Sequence, residues 1–172
     1  LYLPDVERYE QTYPVRFLRQ AFRTDGGGAG HFRGGTGIDY AVEVERPSVL
    51  SLRGEGLNNP SGFGIQGGDT GQAGRMRIKL DDGEEILPDK YGILPVGPMT
   101  LELEAAGGGG WGDPLGRDPY LVRRDVRDGT VSGGAATDLY GVVFKQNSNS
   151  VDDFATEALR DRLRRERGGE ER

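Results

Sequence analysis

GGGGWGDPLG, residues 107–116, follows a segment of strand-like alternation and is one of three glycine clusters in the chain. The others are DGGGAGHFRGGTG, residues 25–37, and GEGLNNPSGFGIQGGDTGQAG, residues 54–74. Together they hold 21 of the 30 glycines, so the excess over the ~7% of an ordinary chain is concentrated rather than spread. Each cluster lies between stretches that alternate apolar and polar residues, which sets it apart from a linker. Glycine tolerates positive φ and, lacking a Cβ, lets another chain or ligand approach its backbone closely. Three such loops on a strand framework predict a surface built for close docking. They do not name a reaction.

The flanking segments set the fold class. YPVRFLRQAFR (13–23) alternates, with Val15 and Phe17 opposite Arg16, and predicts a half-buried strand. Ile38, Tyr40, Val42 and Val44 share one face against Asp39, Glu43 and Glu45. Ser48–Arg53 predicts the next strand. Met76, Ile78 and Leu80 alternate with Arg77 and Lys79, and Asp82-Gly83 marks a turn. Glu85–Leu94 predicts a short strand with a bend at Pro88, and Met99, Leu101 and Leu103 alternate with Thr100, Glu102 and Glu104. Leu1–Glu10, with Pro4 among acidic residues, predicts an irregular arm.

The character changes at Asp118-Pro119, an N-cap followed by proline at the first helical position. That helix stops at Asp128-Gly129. A second runs over Ser132–Tyr140 and ends at Gly141. A brief strand at Val142–Phe144 and a polar loop at Gln146–Ser150 follow. Phe154, Ala158, Leu159 and Leu163 predict the apolar face of a helix over Val151–Arg167, with fraying over Gly168–Arg172. The expected class is mainly β with a small α-helical C-terminal end (α+β), built on an antiparallel sheet or barrel-like sandwich. The expected division is a β-rich glycine-loop body, 1–117, and a helical C-terminal extension, 118–172.

Composition narrows the function classes. Apolar residues make up 34% of the chain, against ~45–50% on a count that includes glycine. The core is therefore thin in large side chains, and burial against a partner is expected. A net charge of −6 and a pI near 4.9 disfavour a general nucleic-acid binder. No apolar run approaches the ~20 residues that span a bilayer, so neither nucleic acid nor membrane is an expected partner. The lack of cysteine excludes disulfides, a thiol nucleophile and a thiolate metal site. It fits the cytoplasmic location expected here. Leu1 rather than Met opens the chain, which leaves a trimmed, partial or longer polypeptide open.

Few side chains point to chemistry. His31 is the single histidine and cannot build a metal site alone. A triad of His31 with Ser61 or Thr36 has no support from spacing. In HFRGGTG (31–37), Arg33 beside glycine amides has the chemistry to hold a phosphate or carboxylate. The favoured reading is that Arg33 closes a tight turn by pairing with a carboxylate of the same protein. GGGGWGD does not open directly into the helix of a βαβ unit, so it is not the dinucleotide fingerprint. No GxxxxGK[ST] stretch occurs, and ATP binding by this chain alone is not expected. Trp111, the only tryptophan, is expected to bury its ring as an anchor in a core or an interface. The tail Arg160–Arg167 alternates in charge, with Asp161 and Arg165 four apart, and reads as a solvated helix face.

GGGGWGDPLGRDPYLVRRDVRDGTVSGGAATDLYGVVF (107–144) resembles the C-terminal end of the hydantoinase B/oxoprolinase family. That family ends in a GGGGYGDP-type loop, an RDP-type helix start, a DVRDG-type turn and a YGVV-type strand. YPVRFLRQAFRTDGGGAGHFRGGTG (13–37) and GGDTGQAGR (67–75) are similar to its earlier glycine patterns, in the same order. The resemblance implies a large assembly with a hydantoinase A-type subunit that binds ATP. It also implies activation of an amide or ketone oxygen as a phosphorylated intermediate, followed by hydrolysis or carboxylation. The chain corresponds to the last third or so of a B-type subunit, as a separately encoded small subunit or a C-terminal fragment. The family's metal-binding His and Asp residues lie outside it. ATP with Mg and a divalent metal are therefore expected on partner subunits, none on this chain alone.

The expected role is part of an ATP-dependent ketone carboxylase of the acetophenone type, not catalytic alone. Cyclic-amide hydrolysis is the enzymatic alternative, and a purely structural interface subunit is the other class. Candidate substrate, intermediate or interface residues are His31, Arg33, Gly34, Gly35, Asp69, Arg75, Gly107, Gly108, Gly109, Gly110, Trp111 and Asp113. No catalytic residue or metal ligand is assigned. Gly107–Gly110 are expected to pack against another chain or segment near the reaction cleft, because a Cβ there would block close approach.

Overall fold

The computed structural model describes residues 5–146 and 148–170. The first described element is α1 (Val6–Thr12), where an arm over Leu1–Glu10 is predicted; residues 1–4 lie outside the described ones. The helix forms because the Asp5 carboxylate caps it, accepting from the Glu7 N–H at 3.1 Å. Seven strands follow: β1 (Val15–Phe22), β2 (Ile38–Val44), β3 (Ser48–Arg53), β4 (Arg75–Leu80), β5 (Glu85–Ile86), β6 (Tyr91–Val96) and β7 (Met99–Glu104). Five form one antiparallel sheet in the order β1-β2-β7-β4-β5, while β3 and β6 pair as a separate antiparallel ribbon. The antiparallel expectation holds. The sheet stays open with β1 and β5 at its edges and does not close into a barrel. Pro88, which has no N–H to donate, separates β5 from β6, and the two strands enter different sheets.

Register makes the core. Phe17 faces Val42, Val42 faces Leu101, Leu101 faces Ile78 and Ile78 faces Ile86, one apolar row across all five strands. With Val44 and Met99 this row packs on Leu50, Leu94 and Val96 of the ribbon. The next residue of each strand points outward. There Arg16–Glu43 (2.5 Å), Arg19–Asp39 (2.7 Å) and Lys79–Glu102 (2.7 Å) form ion pairs in water. Leu18 is an extra residue in β1, at the register shift between Phe17 and Arg19.

The C-terminal end packs around its own core. A 3-10 turn (Pro114–Gly116) leads to α2 (Pro119–Arg127), capped by Asp118 as the Asp-Pro pair predicts. α3 (Gly133–Asp138) is capped by Ser132 and is shorter than predicted. The expected strand at Val142–Phe144 is reduced to one bridge, Phe144 to Val151. The polar loop spans Asn147, outside the described residues. α4 (Asp153–Glu170) runs past Gly168, where fraying is predicted; residues 171–172 lie outside the described ones. Val122, Val131, Ala136, Tyr140, Val142 and Val151 bury together with Ala29 of the first glycine cluster.

The face of α4 differs from its apolar pattern. Phe154 is 85% exposed, whereas Thr156 and Arg160 are buried. The Thr156 hydroxyl accepts from the Val143 N–H (3.0 Å), and Arg160 donates to the Tyr140 and Arg117 carbonyls (3.0 and 2.7 Å). The loops beneath α4 offer backbone groups that need polar partners, so hydrogen bonding overrides hydrophobic spacing. Thr156→Val is expected to cost ~1–3 kcal/mol through the unpaired Val143 amide. Phe154→Ser is expected to stay within ~0.5 kcal/mol of wild type. Chemical denaturation of the two variants checks the contrast.

Candidate functional site

The three glycine clusters meet in one bundle. Its central segment is Gly107–Gly112, and its neighbours are Gly26–Gly30, Phe32–Thr36, Gly62–Ile65 and Gly68–Gln72. The amides of the central segment turn through these neighbours with a period of three. Gly107 and Gly110 donate to the Gln72 and Asp69 carbonyls (2.9 and 2.8 Å). Gly108 and Trp111 donate to Gly35 and Phe32 (2.8 and 2.9 Å), and Gly112 donates to Ile65 (2.9 Å). Three residues per turn is the period of an extended polyproline-II-type helix, not of a pleated strand. Hydrogen bonds therefore leave the segment in several directions instead of in one sheet plane.

At most of its crossings the bundle has no room for a Cβ. A Cβ at Gly62 would stand 2.6 Å from the Gly107 oxygen, and one at Gly30 would stand 2.6 Å from the Trp111 nitrogen. Those at Gly107, Gly109 and Gly110 would run into the carbonyls of Gly26, Phe63 and Ala29. Positive φ is not the reason at these positions; Gly37, Gly56, Gly67 and Gly112 are the cluster glycines that adopt it. The close docking expected of the loops is thus satisfied within the chain, loop against loop.

This arrangement decides what the amides can do. Those of Gly28, Gly34, Gly107, Gly108, Gly110 and Gly112 all donate to carbonyls of the bundle. They do not fit a phosphate cradle, which needs free N–H groups pointing at the anion. Among the described residues no three of His, Cys, Asp and Glu stand close enough to hold a metal ion. These six amides are already committed and the described residues offer no group of metal ligands, so no step is drawn through ATP or a metal here.

The candidate side chains divide among three places. His31 and Trp111 stand at one end of the bundle. The His31 ring packs edge-on to Phe32 at 4.8 Å, and Phe32 lies 5.6 Å from Trp111. Trp111 is 44% exposed rather than buried. Its backbone is held between Phe32 and Ile65, which leaves the ring on the outer surface. Trp111→Ala in this chain is therefore expected to cost ~2 kcal/mol, below the ~3–5 of a core aromatic, as read from urea unfolding. Asp113 caps the following turn through the Leu115 N–H (2.9 Å) and pairs with Arg167 (3.3 Å). Gly34 is buried in the bundle; Gly35 has open space where a Cβ would stand.

Arg33 turns inward beneath the bundle. It meets Asp125 of α2 at 3.4 Å and donates to the Gly34 carbonyl at 2.7 Å. Arg117 joins the same carboxylate at 2.9 Å and donates to the His31 carbonyl at 3.0 Å. Asp69 contributes its backbone to the bundle, accepting from Gly110. Arg75 lies apart, beside a groove of about 630 Å³ on the outer sheet face with Arg19, Asp39, Arg77, Glu102 and Glu104. The Asp39 carboxylate, by hydrogen bond and by charge, raises the pKa of Arg19 above the ordinary arginine value.

Sequence reasoning misses Asp125, Arg117, Arg160 and Arg23. Arg23 ties the clusters at the base of the bundle, donating to the Ala73 and Ala105 carbonyls (2.7 and 3.2 Å). Asp125 carries a usable signal, since it follows buried Val122 by three residues on the inward stripe of α2. Burial pushes the Tyr140 phenol up to about 12, against an opposing pull from Arg117 and Arg33. Burial also lowers Arg160, with Arg164 adding repulsion. No described helix is long and apolar enough to cross a membrane.

Known proteins are similar to this chain in sequence and fold. The family model for hydantoinase B/oxoprolinase matches residues 1–114. The caprolactamase β subunit of Pseudomonas jessenii is 37% identical over 91% of this chain and 28% of its own length. The acetone carboxylase α subunit of Xanthobacter autotrophicus is 26% identical over 95% of this chain and 26% of its own. A nucleotide-free acetone carboxylase structure superposes with a TM-score of 0.77 at 21% identity, covering 98% of this chain and 27% of that one. The crystal structure of the ATP-dependent caprolactamase from Pseudomonas jessenii gives a TM-score of 0.69 at 34% identity, over 91% and 28%. The chain thus spans about a quarter of these relatives' lengths rather than a third. It belongs to the hydantoinase B/oxoprolinase family.

Proposed function

We propose that this chain forms the glycine-bundle part of a hydantoinase B-type subunit in an ATP-dependent complex that hydrolyses a cyclic amide. The observation that carries the reading is the 37% identity to the caprolactamase β subunit over 91% of the chain, bundle included. Ketone carboxylation, placed first on the family resemblance, is the second reading. It is favoured by the acetone carboxylase α and acetophenone carboxylase δ subunits, at 26% and 27% identity. In either case the chain supplies a rigid scaffold and an interface, not the reacting groups. ATP and the metal belong to partner chains of the A type and to the rest of the B-type subunit.

The test is ADP release by the complex purified through a tag on this chain. ADP release that depends on a cyclic amide supports hydrolysis. Release that depends on a ketone with bicarbonate favours the second reading. A preparation that contains no ATP-binding partner and responds to neither rejects both.

A further inference from the structure

We propose that the apolar row Phe32–Trp111–Ile65 on the glycine bundle is the seat of the remaining part of the hydantoinase B-type subunit. The proposal rests on the functional reading above and assigns the face of this chain which that part covers. Phe32 and Ile65 are both bridge partners of Trp111, one on either side. The Phe32 and Trp111 rings stand 5.6 Å apart, side by side on the bundle. The three stand 61%, 44% and 50% exposed, and Phe63, two residues before Ile65, is 73% exposed. A contiguous exposed apolar surface marks an interaction site, and clustered aromatic side chains are the residues that anchor interfaces.

The bundle holds this row in place before any partner arrives. The Trp111 and Phe32 backbones exchange hydrogen bonds at 2.9 and 3.0 Å, and the Ile65 N–H donates to the Gly110 carbonyl at 3.0 Å. Docking on it therefore orders little additional backbone, which lowers the entropy lost on association. The outer face of the five-stranded sheet is of the opposite kind, laced with the ion pairs of Arg16, Arg19 and Lys79 and suited to water. Length argues for the occupant. The chain covers 26–28% of its B-type relatives, so roughly three quarters of such a subunit lies outside it.

Hydroxyl-radical footprinting of the intact complex, read residue by residue by mass spectrometry, tests the assignment. Phe32 and Trp111 are expected to lose labelling down to the level of Tyr140, which is 2% exposed. Labelling of both at the rate of unprotected side chains overturns the proposal. A benzoylphenylalanine cross-linker in place of Phe32 then identifies the occupant. Cross-links to B-type residues outside this chain support it; cross-links to a second copy of this chain or to the ATP-binding subunit overturn it. Native mass spectrometry of the same sample separates the two readings. A complex without any such B-type residues sinks the functional reading. A complex that contains them, with Phe32 and Trp111 freely labelled, sinks only the docking face.

Discussion

Gly107→Ala is expected to cost ~3–5 kcal/mol of folding stability, a large share of the ~5–15 kcal/mol that holds an ordinary domain. The added methyl collides with the Gly26 carbonyl in the middle of the bundle. The central segment must then withdraw, and the hydrogen bonds from Gly107 to Gln72 and from Gly28 to Gly108 (both 2.9 Å) stretch or break. Each buried group left unpaired adds ~1–3 kcal/mol. Reduced unfolded-state entropy returns only ~0.4–1 kcal/mol for a Gly→Ala change, so the collision decides the sign. Gly35→Ala is the matched control in the same cluster, because nothing stands within 4 Å of its Cβ position. It is expected to be neutral or slightly stabilising. Gly109→Val should behave like Gly107→Ala, whereas Gly168→Val, in open space on α4, should not. Urea midpoints for these four variants check the ordering. Equal midpoints for Gly107→Ala and Gly35→Ala would show that the glycines merely connect strands.

Asp125→Ala is expected to destabilise by ~3–5 kcal/mol, the range for a buried ion pair that loses one partner. The carboxylate is the shared counter-ion of Arg33 and Arg117, whose side chains are 18% and 9% exposed. Nε of each guanidinium is already buried without a hydrogen-bond partner. Removing Asp125 leaves two positive charges beneath the bundle, hydrogen-bonded to the Gly34 and His31 carbonyls. A variant carrying Arg33→Met, Arg117→Met and Asp125→Leu together should recover much of the loss. Apolar replacement of a whole buried ionic group is often neutral or stabilising. Denaturation measured with the single and triple variants tests the account. An Asp125→Ala cost below ~0.5 kcal/mol, within the range of an ordinary surface change, would place the cluster in effective contact with water.

The contrast between these two predictions marks what was readable in the chain. Glycine in three dense clusters signals close backbone approach, because only a missing Cβ permits it. The reading is local and needs no fold. Strands β2, β4 and β7 were equally legible, since Ile38–Val44, Met76–Leu80 and Met99–Glu104 each alternate with the period of a sheet that buries one face. Asp118-Pro119 and Ser132 placed two helix starts for the same kind of reason, a side chain acting on its own next turn.

The partner of each glycine segment was not legible. Gly107–Gly112 lies between segments 35 to 81 residues away in the chain, and no sequence period encodes which carbonyl each amide will meet. The sequence alone called for a docking surface, and the tertiary structure directed that docking inward. It also chose between the two roles open to Arg33, by bringing Asp125 from 92 residues away. Trp111 and Phe154 show the same limit from the other side. Both are large and apolar, and both stay exposed because neighbouring backbone groups took up the inward positions. Composition and periodicity determine which segments can bury a face. Which groups meet across the chain depends on three-dimensional packing and on the satisfaction of every buried polar atom.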